Sequence, residues 1–326
     1  MYKISDNKVT NHAPATFAEL NMKENDIEEL LRKNIDMICD EEESMLIVGS
    51  QVRNAERGIS DLTAVDNRGN IVLVEIKRDR RDIIGRKESF EFQAIRYAAS
   101  YATIEDPDDL VNKIYTPYIE KFRDEFENAP LTNSEIATRK LQEFLEKHNA
   151  NGMFNENQRI ILVASDFDEQ TKSAVAWLNS NNVDISCFKL IPHKIGDEIY
   201  LNIEKVLPLS SYQDHYVNFL EDRLNNVKPK KGITRRSLPK IDEMLEWGAV
   251  KAGDIIVAKG REDEAELLEN GNVSVNGEET SMQKWLKELF GWSSIQTYVF
   301  AVHKESNKTL SRIREEYMES LKEENG

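Results

Sequence analysis

Long apolar runs, cysteines and clustered histidines are all scarce in this chain, and each scarcity closes off a class of protein. No stretch of about 18 apolar residues occurs, so no transmembrane helix is expected. Met1 to Ala13 is polar and lacks the apolar centre of a secretory signal. Cys39 and Cys187 stand far apart in mostly apolar surroundings, which suits reduced, buried thiols rather than a disulfide framework. His12, His148, His193, His215 and His303 show no ligand-type spacing, so structural zinc is not expected. No internal repeat is visible. These features fit a cytoplasmic protein with no membrane partner.

Charge, by contrast, is abundant. The formal net charge of −16 argues against nucleic acid as a partner only if charge is spread evenly, because binding follows local patches. Two basic stretches stand out: Lys77-Arg78-Asp79-Arg80-Arg81, continuing to Arg86-Lys87, and Lys228-Pro229-Lys230-Lys231, continuing to Arg235-Arg236. With 326 residues and a hydrophobic share of 40%, the chain is long enough for two domains with packed cores.

Along the chain, residues 14 to 40 read as a helical entry, capped by Asn25-Asp26 ahead of Ile27-Glu28-Glu29-Leu30-Leu31. Met45-Leu46-Ile47-Val48 is a short strand. Ile59 to Val65, the turn residues Asp66-Asn67-Arg68-Gly69-Asn70, and Ile71 to Lys77 read as a hairpin. Ser89 to Ala102 is helical. Asp106 to Asn149 is charged with helical patches, broken by Pro107, Pro117 and Pro130. Arg159 to Ala164 suits a buried strand, followed by a helix from Glu169 to Asn179 and a strand from Ile185 to Leu190. The composition changes near Leu207. Residues 1–206 form one expected domain, 207–231 a polar linker, and 232–326 a second domain with an amphipathic helix from Leu238 to Trp247 and glycine-punctuated short segments.

The hairpin carries the chemistry. Asp61 lies seven residues before Arg68 and Glu75 seven after it, so a turn centred on Arg68 sets the two carboxylates opposite each other. Directly opposed residues project from one face with Cβ atoms about 5 Å apart. Lys77, two beyond Glu75, shares that face. A slip of one residue would send Asp61 to the other side. Two close carboxylates repel unless a cation or proton sits between them, and Mg²⁺ is commonly held by one or two carboxylates with waters and a phosphate. A metal there polarises a phosphoryl oxygen and acidifies its water, while a neighbouring lysine orients that water and stabilises developing charge. Taken alone the pattern is short, and an exposed salt bridge would also produce it. Here, however, the charges interrupt the apolar run Ile71-Val72-Leu73-Val74-Glu75-Ile76, where unpartnered polar groups are costly.

Gly58-Ile59-Ser60-Asp61-Leu62-Thr63-Ala64-Val65-Asp66 together with Val72-Leu73-Val74-Glu75-Ile76-Lys77-Arg78 resembles the PD-(D/E)XK nuclease superfamily, in particular the branch of NucS-type and RecB-like nucleases. Gln93-Ala94-Ile95-Arg96-Tyr97 matches that branch's helix with Gln and Tyr four apart, a spacing that puts both on one face, opposite Ile95, Ala98, Ala99 and Ala102. The resemblance covers roughly residues 15 to 205. It implies a restriction-endonuclease-like α/β core, a mixed sheet flanked by helices. It further implies Mg²⁺ (or Mn²⁺) held at Asp61, Glu75 and Ile76, water activation by Lys77, and positioning by Gln93 and Tyr97. The family's first-helix glutamate falls on Glu24 or Glu28. Arg57, Arg78, Arg80 and Arg81 lie beside this site, and Lys230, Lys231, Arg235 and Arg236 lie in the linker; all are candidate DNA contacts.

Residues 232 to 320 resemble the RAMA domain, through Leu245-Glu246-Trp247-Gly248-Ala249-Val250-Lys251-Ala252-Gly253-Asp254, the hairpin Asn270 to Gly277, and Gln283-Lys284-Trp285-Leu286-Lys287-Glu288-Leu289-Phe290-Gly291. That resemblance implies a small α+β module reading DNA or its modification, with Trp292, Tyr298 and Trp285 as candidate base-stacking aromatics. On its helix with Leu286 and Leu289, Trp285 better suits a core position, and Trp292, after Gly291, is the stronger candidate. The combined expectation is a metal-dependent deoxyribonuclease in a restriction-like or antiviral defence role. Two alternatives are a repair endonuclease acting on mismatched or branched DNA and a non-catalytic DNA-binding regulator. Cutting both strands would need two active sites and hence a homodimer.

Overall fold

The computed structural model describes residues 2–5, 8–11, 13–40, 42–56, 58–83, 88–126, 130–208 and 238–324. An N-terminal hairpin, β1 (Tyr2–Ser5) and β2 (Lys8–Asn11), precedes helix α1 (Glu24–Lys33). The helix starts ahead of the expected cap: Asp26 sits inside its first turn and its carboxylate accepts from Lys23 N at 2.7 Å.

A mixed six-stranded sheet follows, in the order β3 (Met45–Arg53), β4 (Ile59–Asp66), β5 (Ile71–Lys77), β6 (Gln158–Ala164), β7 (Asp184–Ile195), β8 (Glu198–Leu207). Strands β5, β6 and β7 are parallel, while the β3–β4, β4–β5 and β7–β8 pairs are antiparallel. The parallel pairs require crossovers. Between β5 and β6 run α2 (Arg80–Ile83), α3 (Phe90–Tyr101), α4 (Pro107–Leu110), a π-helical turn Val111–Tyr115, α5 (Thr116–Lys121) and α6 (Asn133–Lys147); α7 (Glu169–Ser180) joins β6 to β7. Pro107 and Pro117 do not break helices as expected: Pro107 stands in the first turn of α4, where the missing N–H leaves no bond unmade, and Pro117 follows the π-helical turn without ending the helical path. Strand β8 was not anticipated, and it extends the sheet to Leu207.

The second unit comprises α8 (Ile241–Glu246), β9 (Ile255–Ala258), β10 (Glu264–Leu267), β11 (Val273–Val275), β12 (Glu278–Thr280), α9 (Met282–Phe290), α10 (Thr297–Phe300), β13 (Ala301–His303), β14 (Lys308–Thr309) and α11 (Leu310–Glu324). Its six strands form an antiparallel sheet in the order β12-β11-β10-β9-β13-β14. The chain is therefore α/β, with one mixed sheet and one antiparallel sheet, each carrying helices. No helix among the described residues is long and apolar enough to cross a membrane.

The two sheets are joined at the start of β3, an edge strand. Met45 bridges Ser294, Ile47 N donates to Ser293 Oγ at 2.9 Å, and Gln296 N donates to Ser44 Oγ at 2.8 Å. Ion pairs Lys287–Asp36 (2.5 Å) and Arg314–Glu42 (2.6 Å) flank this contact. Trp292 fills the seam. Its ring lies 5.1 Å from Phe144, 4.8 Å from His148, 4.9 Å from Phe290 and 5.1 Å from Phe300, centroid to centroid. Burial lowers the His148 pKa to about 4, so the imidazole in this aromatic cluster is neutral.

Candidate active site

The hairpin register is the one that the spacing about Arg68 requires. Leu62 pairs with Val74, Thr63 with Leu73, Ala64 with Val72 and Val65 with Ile71. One step further along the same register sets Asp61 against Glu75. The turn explains the register. Asp66 Oδ1 accepts from Arg68 N and Asn70 N, both at 2.9 Å, and Gly69 takes φ +81°, a conformation that favours glycine. Every residue of β5 is buried, so Glu75 and Lys77 sit inside an otherwise apolar strand.

Asp61 Oδ2 accepts from Ile76 N at 2.7 Å, which ties the carboxylate to the neighbouring strand. Lys77 Nζ donates to the Ile76 carbonyl at 2.7 Å and lies 3.3 Å from Glu75 Oε1 and 3.5 Å from Glu24 Oε1. The second oxygen of Glu75, Oε2, is buried with no hydrogen-bond partner. Burial drives both acids upward. The Glu75 pKa rises to about 8, through desolvation and then the Asp61 charge, with Lys77 opposing; Asp61 rises to about 6, chiefly through desolvation. Among the described residues Lys77 is the one cation set against two buried carboxylates here, an oxygen-rich environment of the kind that suits a divalent ion. The two carboxylates and the Ile76 carbonyl are the groups available to hold one. Among the described residues no three His, Cys, Asp or Glu side chains form a ready-made metal cage. A site of this kind would therefore rely on two carboxylates, main chain, water and substrate oxygens.

Glu24 and Glu28 both border the cluster, by different routes. Glu24 reaches it through Lys77. Glu28 is 6% exposed, accepts from Ser50 Oγ at 2.9 Å and from Gln51 Nε2, and is raised in pKa by burial. Gln51 Nε2 also lies 3.4 Å from Asp61 Oδ1, so one amide links Glu28 to Asp61. Gln51 takes φ +55°, a strained setting for a residue with a side chain. Sequence reasoning missed Ser50 and Gln51. Their signal is tertiary: they lie on β3, eleven and ten residues before Asp61, and come beside it only through the β3–β4 pairing.

On α3 the expected Gln93–Tyr97 pair is present, with Gln93 Nε2 3.3 Å from Tyr97 Oη. The expected opposite face is not. Ala98 packs with Phe90, Ala94, Tyr97 and Tyr101 on the buried side, whereas Ala99 and Ala102 are exposed. Tyr97 Oη accepts from Ile59 N at 3.1 Å, an approach for which Gly58 leaves room: a Cβ there would stand 2.5 Å from Tyr97 Cε1. Tyr101, also missed, places its hydroxyl 2.6 Å from both Ser60 Oγ and Thr63 Oγ1. These two tyrosines thus brace β4 on either side of Asp61.

Of the basic residues, Arg78 is engaged with Asp79 (3.3 Å) and Asp82 (3.2 Å), while Arg81 is exposed. Asp79 in turn accepts from Phe17 N and Ala18 N. Arg57, the Arg80 side chain, Lys230, Lys231, Arg235 and Arg236 lie outside the described residues. The aromatic candidates are corrected by their burial. Trp285, Trp292 and Tyr298 are 4%, 5% and 3% exposed. Trp292 holds the seam between the two sheets, and Tyr298 Oη accepts from Ile241 N at 2.8 Å to anchor α8. None presents a ring face on which a base can stack. Comparison of the chain with protein-family models, curated proteins and solved structures gave no match.

Proposed function

We propose that this chain is a metal-dependent deoxyribonuclease of the PD-(D/E)XK kind, hydrolysing DNA phosphodiester bonds, with the C-terminal module contributing DNA contact. One observation carries the reading: Glu75 Oε2 is buried without a partner beside Asp61 and Lys77, in a strand otherwise built of apolar residues. A charge cluster of this cost is retained where it performs chemistry. When bound at Asp61, Glu75 and the Ile76 carbonyl, Mg²⁺ or Mn²⁺ would supply Lewis acidity at a phosphoryl oxygen and a more acidic water. Lys77, fixed by the Ile76 carbonyl and Glu75, orients the attacking water and offsets developing negative charge. Asp61, held by Ile76 N, keeps its other oxygen directed toward Gln51 and the cluster.

The deciding experiment is incubation with Mg²⁺ or Mn²⁺ and matched duplexes, fully paired, mismatched and methylated. Wild-type protein cuts at least one of them. Asp61→Ala and Lys77→Ala abolish cutting while remaining folded and binding DNA. Cutting retained by both variants refutes the assignment, and preference among the duplexes separates a restriction-like role from mismatch repair.

A further inference from the structure

Five cations lie outside the carboxylate cluster, each beside an aromatic ring. Lys121, at the end of α5, places Nζ 3.4 Å from Ser50 Oγ at the cluster's edge and 5.0 Å from the Phe122 ring. Phe122 meets Tyr118 at 5.0 Å, and Tyr118 meets Phe126 at 6.2 Å. Lys140 Nζ is 5.9 Å from the Phe126 ring and 3.3 Å from where a Cβ would stand at Gly291. The adjoining Phe290 carries two cations, Lys147 at 4.5 Å and Arg261 at 4.8 Å, one from each side of the seam. Lys259 lies 5.7 Å from Phe300, whose ring meets Phe290 at 5.2 Å.

In a chain of net charge −16, cations gathered on one face would be expected to find acids. Among the described residues only Lys147 of these five has an ion-pair partner, Glu143 at 3.7 Å. Lys121, Lys259 and Arg261 are exposed, and Lys140 and Lys147 partly so. Positive side chains set beside aromatic rings, four of the five without an ion pair among the described residues, suit a polyanion with regularly spaced charges.

We propose that this track is the path of the DNA phosphate backbone, leading from the carboxylate cluster over α5 and α6 onto the C-terminal module; it rests on the deoxyribonuclease reading and says where the substrate lies. Met45, which touches the module, and Ser50, which touches the cluster, are five residues apart on β3, about 17 Å at 3.3–3.4 Å per residue. Duplex DNA covers that distance in about five base pairs.

The test is fluorescence anisotropy of the full chain with a 24-base-pair duplex, without divalent ion, over a series of KCl concentrations. Lys259→Gln with Arg261→Gln, and separately Lys140→Gln with Lys147→Gln, each lower the slope of log affinity against log salt by about two, since each lost phosphate contact removes about 0.9. Binding at 0.15 M KCl weakens roughly tenfold or more in each. Lys259→Arg with Arg261→Lys keeps the wild-type slope. If wild type cuts DNA but both Gln pairs keep its slope, the track is refuted and the nuclease reading stands. If both slopes fall but no metal supports cutting, the track stands and the nuclease reading is refuted. Failure of wild type to bind the duplex refutes the track.

Discussion

Replacing Glu75 with Gln tests the electrostatics of the site without any assumption about substrate. A carboxyl that ionises near 8 in the native chain and near 4.5 in the unfolded chain is protonated more often in the native state across that interval. The native state then binds more protons than the unfolded one, so stability falls as pH rises. At up to about 1.4 kcal/mol per pH unit between those two values, the rising ionisation tendency of Glu75 costs the fold on the order of a few kcal/mol by pH 8. Asp61, raised from 3.8 to about 6, adds in the same direction over a lower range. Glu75→Gln removes the titration and leaves Lys77 with the Ile76 carbonyl at 2.7 Å and Glu24 at 3.5 Å. Melting temperatures measured from pH 5 to 8.5 should fall with pH throughout in wild type, and in the variant only at the acid end, where Asp61 still titrates. At pH 8 the variant should melt higher, on the order of 10 °C. Millimolar Mg²⁺ should raise the wild-type melting temperature at pH 8 more than at pH 5, and the variant's little at either. A wild-type curve flat across this range, or a variant less stable than wild type at pH 8, would show that the buried carboxylates are not the strained pair described.

Two further substitutions probe the frame around the site. Trp292→Ala empties the space between Phe144, His148, Phe290 and Phe300, and denaturant unfolding should show a loss of about 3–5 kcal/mol; a loss below about 1 kcal/mol would mean the seam is not packed as described. Glu43→Ala leaves the buried Arg159, whose Nη1 it accepts from at 2.9 Å, with the longer Asp184 contact at 3.8 Å, and should cost about 3 kcal/mol, with much of that recovered by adding Arg159→Met.

The geometry of Asp61, Glu75 and Lys77 was legible because it depends on local rules alone. A turn rich in Asp, Asn and Gly fixes the hairpin register, and strand alternation does the rest. The residues that complete the site obey no such local rule. Gln51, Ser50 and Tyr101 meet Asp61 and its strand only after β3 has paired with β4 and α3 has packed on the sheet. Lys121 reaches Ser50 from a helix that begins at Thr116, with nothing in its neighbourhood to mark it. Trp292 misled for a related reason. A position after a glycine at a helix end describes the local backbone and says nothing of what covers the ring, and here four aromatic neighbours do. Pro107 and Pro117 illustrate the ambiguity of a single residue type, since proline marks both the end of one helix and the first turn of another.

The Met45–Ser294 bridge also bears on how the chain can be divided. The edge of the larger sheet is closed at Met45 to Ile47 by Ser293 and Ser294. Cutting the chain after Leu207 would leave that stretch of strand with bare main-chain donors and acceptors, and would uncover Phe144 and His148, which Trp292 covers. Such an edge recruits other strands. A shortened protein is therefore expected to self-associate, so loss of the proposed nuclease activity on truncation would report on aggregation as much as on the missing module.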